Sequence, residues 1–151
     1  MIVWRISSSA YSAKALSGEG AFRYPGRWNH VGVPMVYTAS TMSLAILEYV
    51  AHVNPALPRP DLVLMKIGIT EKASPYPDSK LPKDWQVIPP PNSTRDIGTN
   101  WARSSNTLSL GVPSVLMPTG AEFNVLLNPL HAKMLMTNVV SQNPSGSMSA
   151  W

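Results

Sequence analysis

The chain has 151 residues, 12 basic and 8 acidic, and carries a net charge of +4. That length suits one domain with a real core. No cysteine is present, which excludes disulfides, thiolate nucleophiles and thiolate metal sites. The basic residues form no run, so a polyanion stripe is not expected, whereas a small anionic ligand fits the charge.

In chain order, "IVWRI" (2–6) reads as a strand and "SSAYSAKAL" as a short helix capped by a serine. "SGEGAFRYPGRWNHVGVP" holds four glycines and two prolines and is expected to be an irregular loop. "MVYTA" (35–39) is a strand by its branched and aromatic content. Ser40 or Thr41 then caps a helix over 41–53. "DLVLMKIGI" (61–69) is a nearly continuous apolar run and reads as a central strand. Residues 70–93 are dense in proline and are expected to form a surface excursion around a short strand, "QVI". "TRDIGTNWARSS" reads as another helix, "VPSVLM" and "FNVLLN" (123–128) as paired strands, and "KMLMTNVV" as a last strand. The expected domain spans 1–140, with a disordered tail over 141–151.

The basic n-region and apolar h-region of a secretory signal are missing from the start, and no run reaches the ~20 apolar residues that span a bilayer. The expected location is the cytoplasm. Three scattered histidines give no metal-ligand spacing, so no metal is expected.

The helix over 41–53 carries apolar residues around nearly its whole circumference, which predicts burial. Thr41, Glu48 and His52 fall in one stripe, spaced i, i+7 and i+11. A carboxylate in such a place needs a partner or a cavity. The bland reading is a structural ion pair. The functional reading is a ligand cavity in which Glu48 stabilises positive charge or acts as a base. Arg27 in "GRWN" offers a planar fork for phosphate oxygens. Tyr37 offers a flat face and a hydroxyl. Guanidinium, aromatic face and carboxylate together suit a dinucleotide with a cationic ring. Trp28 reads as packing beneath the loop and His52 as a helix-end histidine, while Arg5 and Arg23 are further candidates for phosphate contact.

The stretches "GEGAFRYPGRWN", "VPMVYTASTMSLAILEYVAHV", "VPSVLMP" and "FNVLLNPLH" resemble the RES domain, the toxin of bacterial RES–Xre type II toxin–antitoxin systems. The resemblance runs from about residue 4 to 131. It places Arg27, Glu48 and Ser114 at the family's Arg, Glu and Ser, with Tyr37 at its tyrosine. It implies a single α+β domain, a compact mixed-sheet core resembling ADP-ribosyltransferase toxins. It also implies a toxin that depletes cellular NAD by cleaving the nicotinamide–ribose bond, as a glycohydrolase or phosphorylase. NAD would be substrate, with no prosthetic group. By this resemblance Arg27, Tyr37 and Glu48 are catalytic, and Arg27, Asn29, Tyr37, Ser114 and Asn124 bind NAD. The implied partner is an antitoxin with a DNA-binding domain; direct contact with nucleic acid or membrane is not expected, and a homodimer is compatible with the low charge. The alternatives are a RES-like ADP-ribosyltransferase and a non-catalytic module that binds a nucleotide or a partner. The end of the chain departs from the family, lacking any Asp or Arg after residue 103.

Overall fold

Strand order in the sheet, rather than helix packing, decides where the functional side chains meet. The computed structural model describes residues 1–58, 60–117 and 119–144. Seven strands form one sheet: β1 (Ile2–Ser8), β2 (Val36–Ala39), β3 (Leu62–Gly68), β4 (Ser74–Pro75), β5 (Ser109–Pro113), β6 (Phe123–Leu127) and β7 (Asn138–Pro144). Their spatial order is β4-β5-β6-β2-β1-β3-β7. All neighbours are antiparallel except β4 and β5, which are parallel. Helices α1 (Glu19–Arg23), α2 (Met42–His52) and α3 (Asn92–Ser104) complete a single α+β domain.

Along β3, buried Val63, Met65 and Ile67 alternate with half-buried Leu64, Lys66 and Gly68, and Leu62 is buried at its start. Val63, Met65 and Ile67 pack with Val3, Val36, Val125 and Leu127 in one cluster, while Trp28, Met35, Leu110, Val112 and Leu126 form another. At ~25 cal/mol per Å², burial of these side chains is the main stabilising contribution.

Several elements differ from the sequence expectation. The segment after β1 is a 3-10 helix over Ser9–Lys14, and Ser8 makes no capping bond. The glycine-rich loop contains α1, which ends where Pro25 follows. Gly18, just before α1, has φ +74°, and a Cβ there would lie 2.7 Å from Met35 N. "QVI" is not a strand; Trp85 and Val87 donate their N–H to Pro82 and Asp84 in successive turns. The strand before the last hairpin starts earlier than expected, at Ser109, and "VPSVLM" contributes only Val112 and Pro113 to it. Residues after it form a turn in which Ser114 bridges Met117. "KMLMTNVV" splits into a 3-10 helix over Ala132–Met136 and the first residues of β7. β7 continues to Pro144 against β3, past residue 140, and residues 145–151 of the expected tail lie outside the described residues.

Helix α2 is capped by Thr41, whose Oγ1 accepts from Leu44 N at 3.1 Å. It is not buried all round. Leu44 and Ala45 pack on Ala39, Trp4 and Ile6, while Met42, Leu47 and Val50 are exposed. Its apolar circumference therefore overstates its burial. The same packing lays one side of the helix across β1 and β2 and delivers residue 48 to the end of the sheet where β5 and β6 begin to separate.

Candidate functional site

A cavity of about 590 Å³ opens between α2, the glycine-rich loop and the strand ends, within the range of ligand pockets. Arg27, Tyr37, Glu48 and Asn124 all line it, as do Arg5, Tyr24, Tyr49, His52 and Ile88. The three side chains that the sequence brought together thus share one cavity.

Glu48 is held at one oxygen. Ser114 Oγ donates to its Oε1 at 2.6 Å, and Asn124 Nδ2 donates to the same oxygen at 2.8 Å. Both donors come from the β5–β6 hairpin. Asn124 sits opposite Val112 on β5 and opposite Ala39 on β2, which puts it on the same face of the sheet as Tyr37, two residues before Ala39. Ser114 is buried and is itself fixed by accepting from Leu116 N at 3.1 Å. His52 Nδ1 lies 3.8 Å from Oε2. That nitrogen is 2.6 Å from the backbone oxygen of Glu48 and donates its proton there. One oxygen is therefore immobilised and the other is left for the cavity. Thr41, in the expected polar stripe, faces elsewhere: its hydroxyl donates to Glu122.

Tyr37 is fixed by its hydroxyl. Oη accepts from Trp28 N at 3.0 Å and donates to Asn29 Oδ1 at 2.7 Å. Burial pushes the phenol well above its ordinary value of 10.0, an effect that outweighs the Trp28 hydrogen bond and the charges of Arg95 and Arg27. The phenol stays neutral, and what it offers the cavity is its ring. Gly26 packs directly on that ring; a Cβ there would come within 2.8 Å of both Cζ and Oη.

Asn29 organises the loop. It is fully buried; Oδ1 also accepts from Gly26 N at 2.8 Å, and Nδ2 donates to Ala21 O at 2.8 Å and Val33 O at 3.1 Å. Its hydrogen-bonding capacity is spent on the protein. Neither Asn29 nor Ser114 lines the cavity. Each is bonded to a residue that does line it, Asn29 to Tyr37 and Ser114 to Glu48.

Arg27 lies on the solvent side. Its Nη1 donates to Trp85 O and Val87 O, both at 2.8 Å, so the proline-rich excursion closes over the loop. Burial draws its pKa down, opposed by the nearby Glu48 carboxylate and Tyr37, with Arg95 adding a further lowering. Arg5 lines the cavity from β1. Its Nη1 donates to Tyr37 O at 2.8 Å, its Nε is buried without a partner, and burial lowers its pKa. Such a cation favours an anion beside it. Arg23 is instead exposed and paired with Glu19 at 2.7 Å. Arg95, which sequence reading passed over, donates from Nε to Gly26 O at 3.2 Å and braces the loop from α3. No local pattern marks it; only the docking of α3 brings it near. That docking depends on Gly98, where a Cβ would lie 1.8 Å from Trp28 O.

Comparison with known proteins matches residues 2–148 to the RES domain family. A "Toxin Res" from Photorhabdus laumondii is 40% identical over 131 residues, covering 86% of this chain and 83% of the relative. A "Toxin Res" from Yersinia enterocolitica is 39% identical over 145 residues, with 95% and 93% covered. The "Prs ADP-ribosylating toxin" of Sphingobium sp. is 40% identical over 134 residues, with 85% and 82% covered. Among solved structures, the fold is similar to a chain of the M. tuberculosis MbcT–MbcA toxin–antitoxin complex, with a TM-score of 0.75 and 18% identity over 95% of this chain and 82% of that one.

Proposed function

The chain belongs to the RES domain family, and from that premise we propose that it is the toxin of a toxin–antitoxin pair that breaks the bond between nicotinamide and ribose in NAD. One observation carries the reading. Ser114 and Asn124 both hold Oε1 of Glu48, leaving Oε2 for a cavity that Arg27, Arg5 and the Tyr37 ring also line.

The chemistry suits that arrangement. Nicotinamide leaves with the electron pair of the C1′–N bond and becomes neutral, so its departure needs no acid. Positive charge then develops on the ribose, and the fixed carboxylate stabilises it. Because Ser114 and Asn124 hold the carboxylate beforehand, little reorganisation is needed as the charge appears. The Tyr37 ring packs beside the reacting sugar and ring. Arg27 and Arg5 take the diphosphate. Water or phosphate adds to C1′ from the vacated side; water loses a proton on addition, and Oε2 is the acceptor within the site.

Free nicotinamide is the measurement that tests this. The purified chain incubated with NAD should release it, with or without added phosphate, and the phosphate-dependent fraction identifies the acceptor. No release under either condition overturns the enzyme reading in favour of a module that only binds nucleotide. A second reading, transfer of ADP-ribose to a protein, is favoured by the Sphingobium relative's name. It predicts ADP-ribose bound covalently to acid-precipitated protein in proportion to the nicotinamide released. The antitoxin partner is supported by the toxin names of the relatives and by the complex that contains the structural neighbour. In cells, induction should arrest growth, and co-expression of the cognate antitoxin should restore it.

A further inference from the structure

The cavity has five aromatic residues in its wall: Trp4, Tyr24, Trp28, Tyr37 and Tyr49. Trp4, Trp28 and Tyr37 are engaged with the protein. Lys66 Nζ sits 5.8 Å from the centroid of the Trp4 ring. Trp28 is buried against α3. Tyr37 is fixed through its hydroxyl. Tyr49 follows Glu48 on α2. Tyr24 differs, since it lines the cavity while being 83% exposed.

Its position is set by the backbone. Tyr24 ends α1, with its N–H donated to Gly20 O at 2.8 Å, and Pro25 follows. Three residues on is Arg27. On the other side, the loop that binds Arg27 through Trp85 O and Val87 O continues directly into Ile88, which is 78% exposed and also lines the cavity. An aromatic and a branched aliphatic side chain therefore line the same cavity as the guanidinium, one three residues from Arg27 in the chain and the other next to Val87, whose carbonyl Arg27 binds. A single exposed apolar residue needs no explanation. Two of them, both in the cavity wall and both tied to the anion-binding arginine, make a place for a flat apolar group joined to a phosphate.

We propose that Tyr24 and Ile88 form a base-binding subsite that grips the adenine ring of the dinucleotide at the mouth of the cavity, with Tyr24 stacked on the ring and Ile88 against its other face. The subsite rests on the NAD-cleaving reading above. It places adenosine at the solvent side and nicotinamide beside Glu48. Every base offers a π face, so stacking of this kind holds purines without reading their edges. Tyr24 is a specificity-determining residue for the adenylate half of the substrate and takes no part in bond breaking.

The test uses adenosine monophosphate and nicotinamide mononucleotide, the two halves of NAD, as competitors of NAD cleavage. In the wild type both compete. Tyr24→Ala should raise KM for NAD about tenfold with kcat within about twofold. It should weaken inhibition by adenosine monophosphate in parallel and leave inhibition by nicotinamide mononucleotide unchanged. Tyr24→Phe should behave as wild type, and Ile88→Gly should show a smaller shift of the same pattern. Thermal melting of each variant checks the fold. Wild type that cleaves NAD but is not inhibited by adenosine monophosphate overturns the subsite. So does a Tyr24→Ala variant that matches wild type, or one whose defect appears in kcat or in inhibition by nicotinamide mononucleotide. Absence of cleavage in the wild type overturns the enzyme reading itself. Direct binding of adenosine monophosphate to wild type and Tyr24→Ala then decides the subsite separately, with equal affinities, or no binding to either, counting against it.

Discussion

At its inner end the cavity is built by side chains bonded to side chains: Ser114 and Asn124 on Glu48 from 66 and 76 residues away, and Asn29 on Tyr37 from eight. At the mouth Arg27 is held differently, by two backbone carbonyls of a proline-rich loop, with exposed Tyr24 and Ile88 beside it. Around the carboxylate, two donors fix one oxygen in advance, and a group held in place stabilises charge better than one that must reorganise. Where a substrate must enter and leave, the support is a surface loop that can yield at little cost. The difference predicts that damage inside appears in the chemical step and damage at the mouth appears in affinity.

The largest expected effect is at Glu48. Glu48→Gln keeps the shape and an oxygen for Ser114 and Asn124 but removes the charge. Nicotinamide release should fall by about 10²–10³ with little change in melting temperature. A variant that cleaves NAD as fast as wild type would break the comparison, because the best-held group would then have no part in the chemistry. Next is the support itself. Ser114→Ala or Asn124→Ala leaves Oε1 with one donor, and kcat should fall about tenfold in each case, with KM changing less. In a Glu48→Gln background the same changes should cost much less. Full additivity would mean that Ser114 and Asn124 act independently of the carboxylate.

At the mouth, Arg27→Lys retains charge but loses the planar fork. KM for NAD should rise about tenfold while kcat holds, and proteolysis between Trp85 and Ile88 should speed up as the loop loses its anchor. A fall in kcat alone would move Arg27 to the inner group. The smallest effect concerns alkaline stability. The unfolded chain's phenol ionises near 10.0, whereas buried Tyr37 keeps its proton to higher pH. Above that value the unfolded state releases a proton that the native state retains, so stability falls as pH rises, by up to ~1.4 kcal/mol per unit. Tyr37→Phe should be less stable at neutral pH, having lost two hydrogen bonds, yet decline less steeply between about pH 9 and 11. Parallel declines in melting temperature for the two proteins would contradict the buried phenol.

Legibility from sequence followed the range of the forces involved. The convergence of Arg27, Tyr37 and Glu48 was readable because loop, strand and helix follow one another within 22 residues, and short connections keep consecutive elements adjacent. The roles of Asn29 and Ser114 were not, since a polar side chain that organises protein and one that meets a ligand look alike until burial is known. Helix α2 misled through composition: Met42, Leu47 and Val50 suggested burial, yet the sheet covers only the side holding Leu44 and Ala45. Strand β5 was placed too late, over "VPSVLM", whereas it runs over Ser109–Pro113. It pairs with β6 along its whole length, and with β4 on its other edge. Arg95 and Ile88 reach the site only through tertiary docking, which no local window contains.

Asn124 contributes one of the two donors to Glu48, and it lies late in the chain, on the hairpin partner of the strand that leads to Ser114. Because alternate residues of a strand point to opposite faces, a slip of one position in that pairing turns the asparagine away. A ribosome that has made the Arg27 loop and the Glu48 helix but not yet released residue 124 holds a chain whose Glu48 lacks that donor. The carboxylate's setting is therefore completed only after most of the polypeptide has been made and zipped in the correct register.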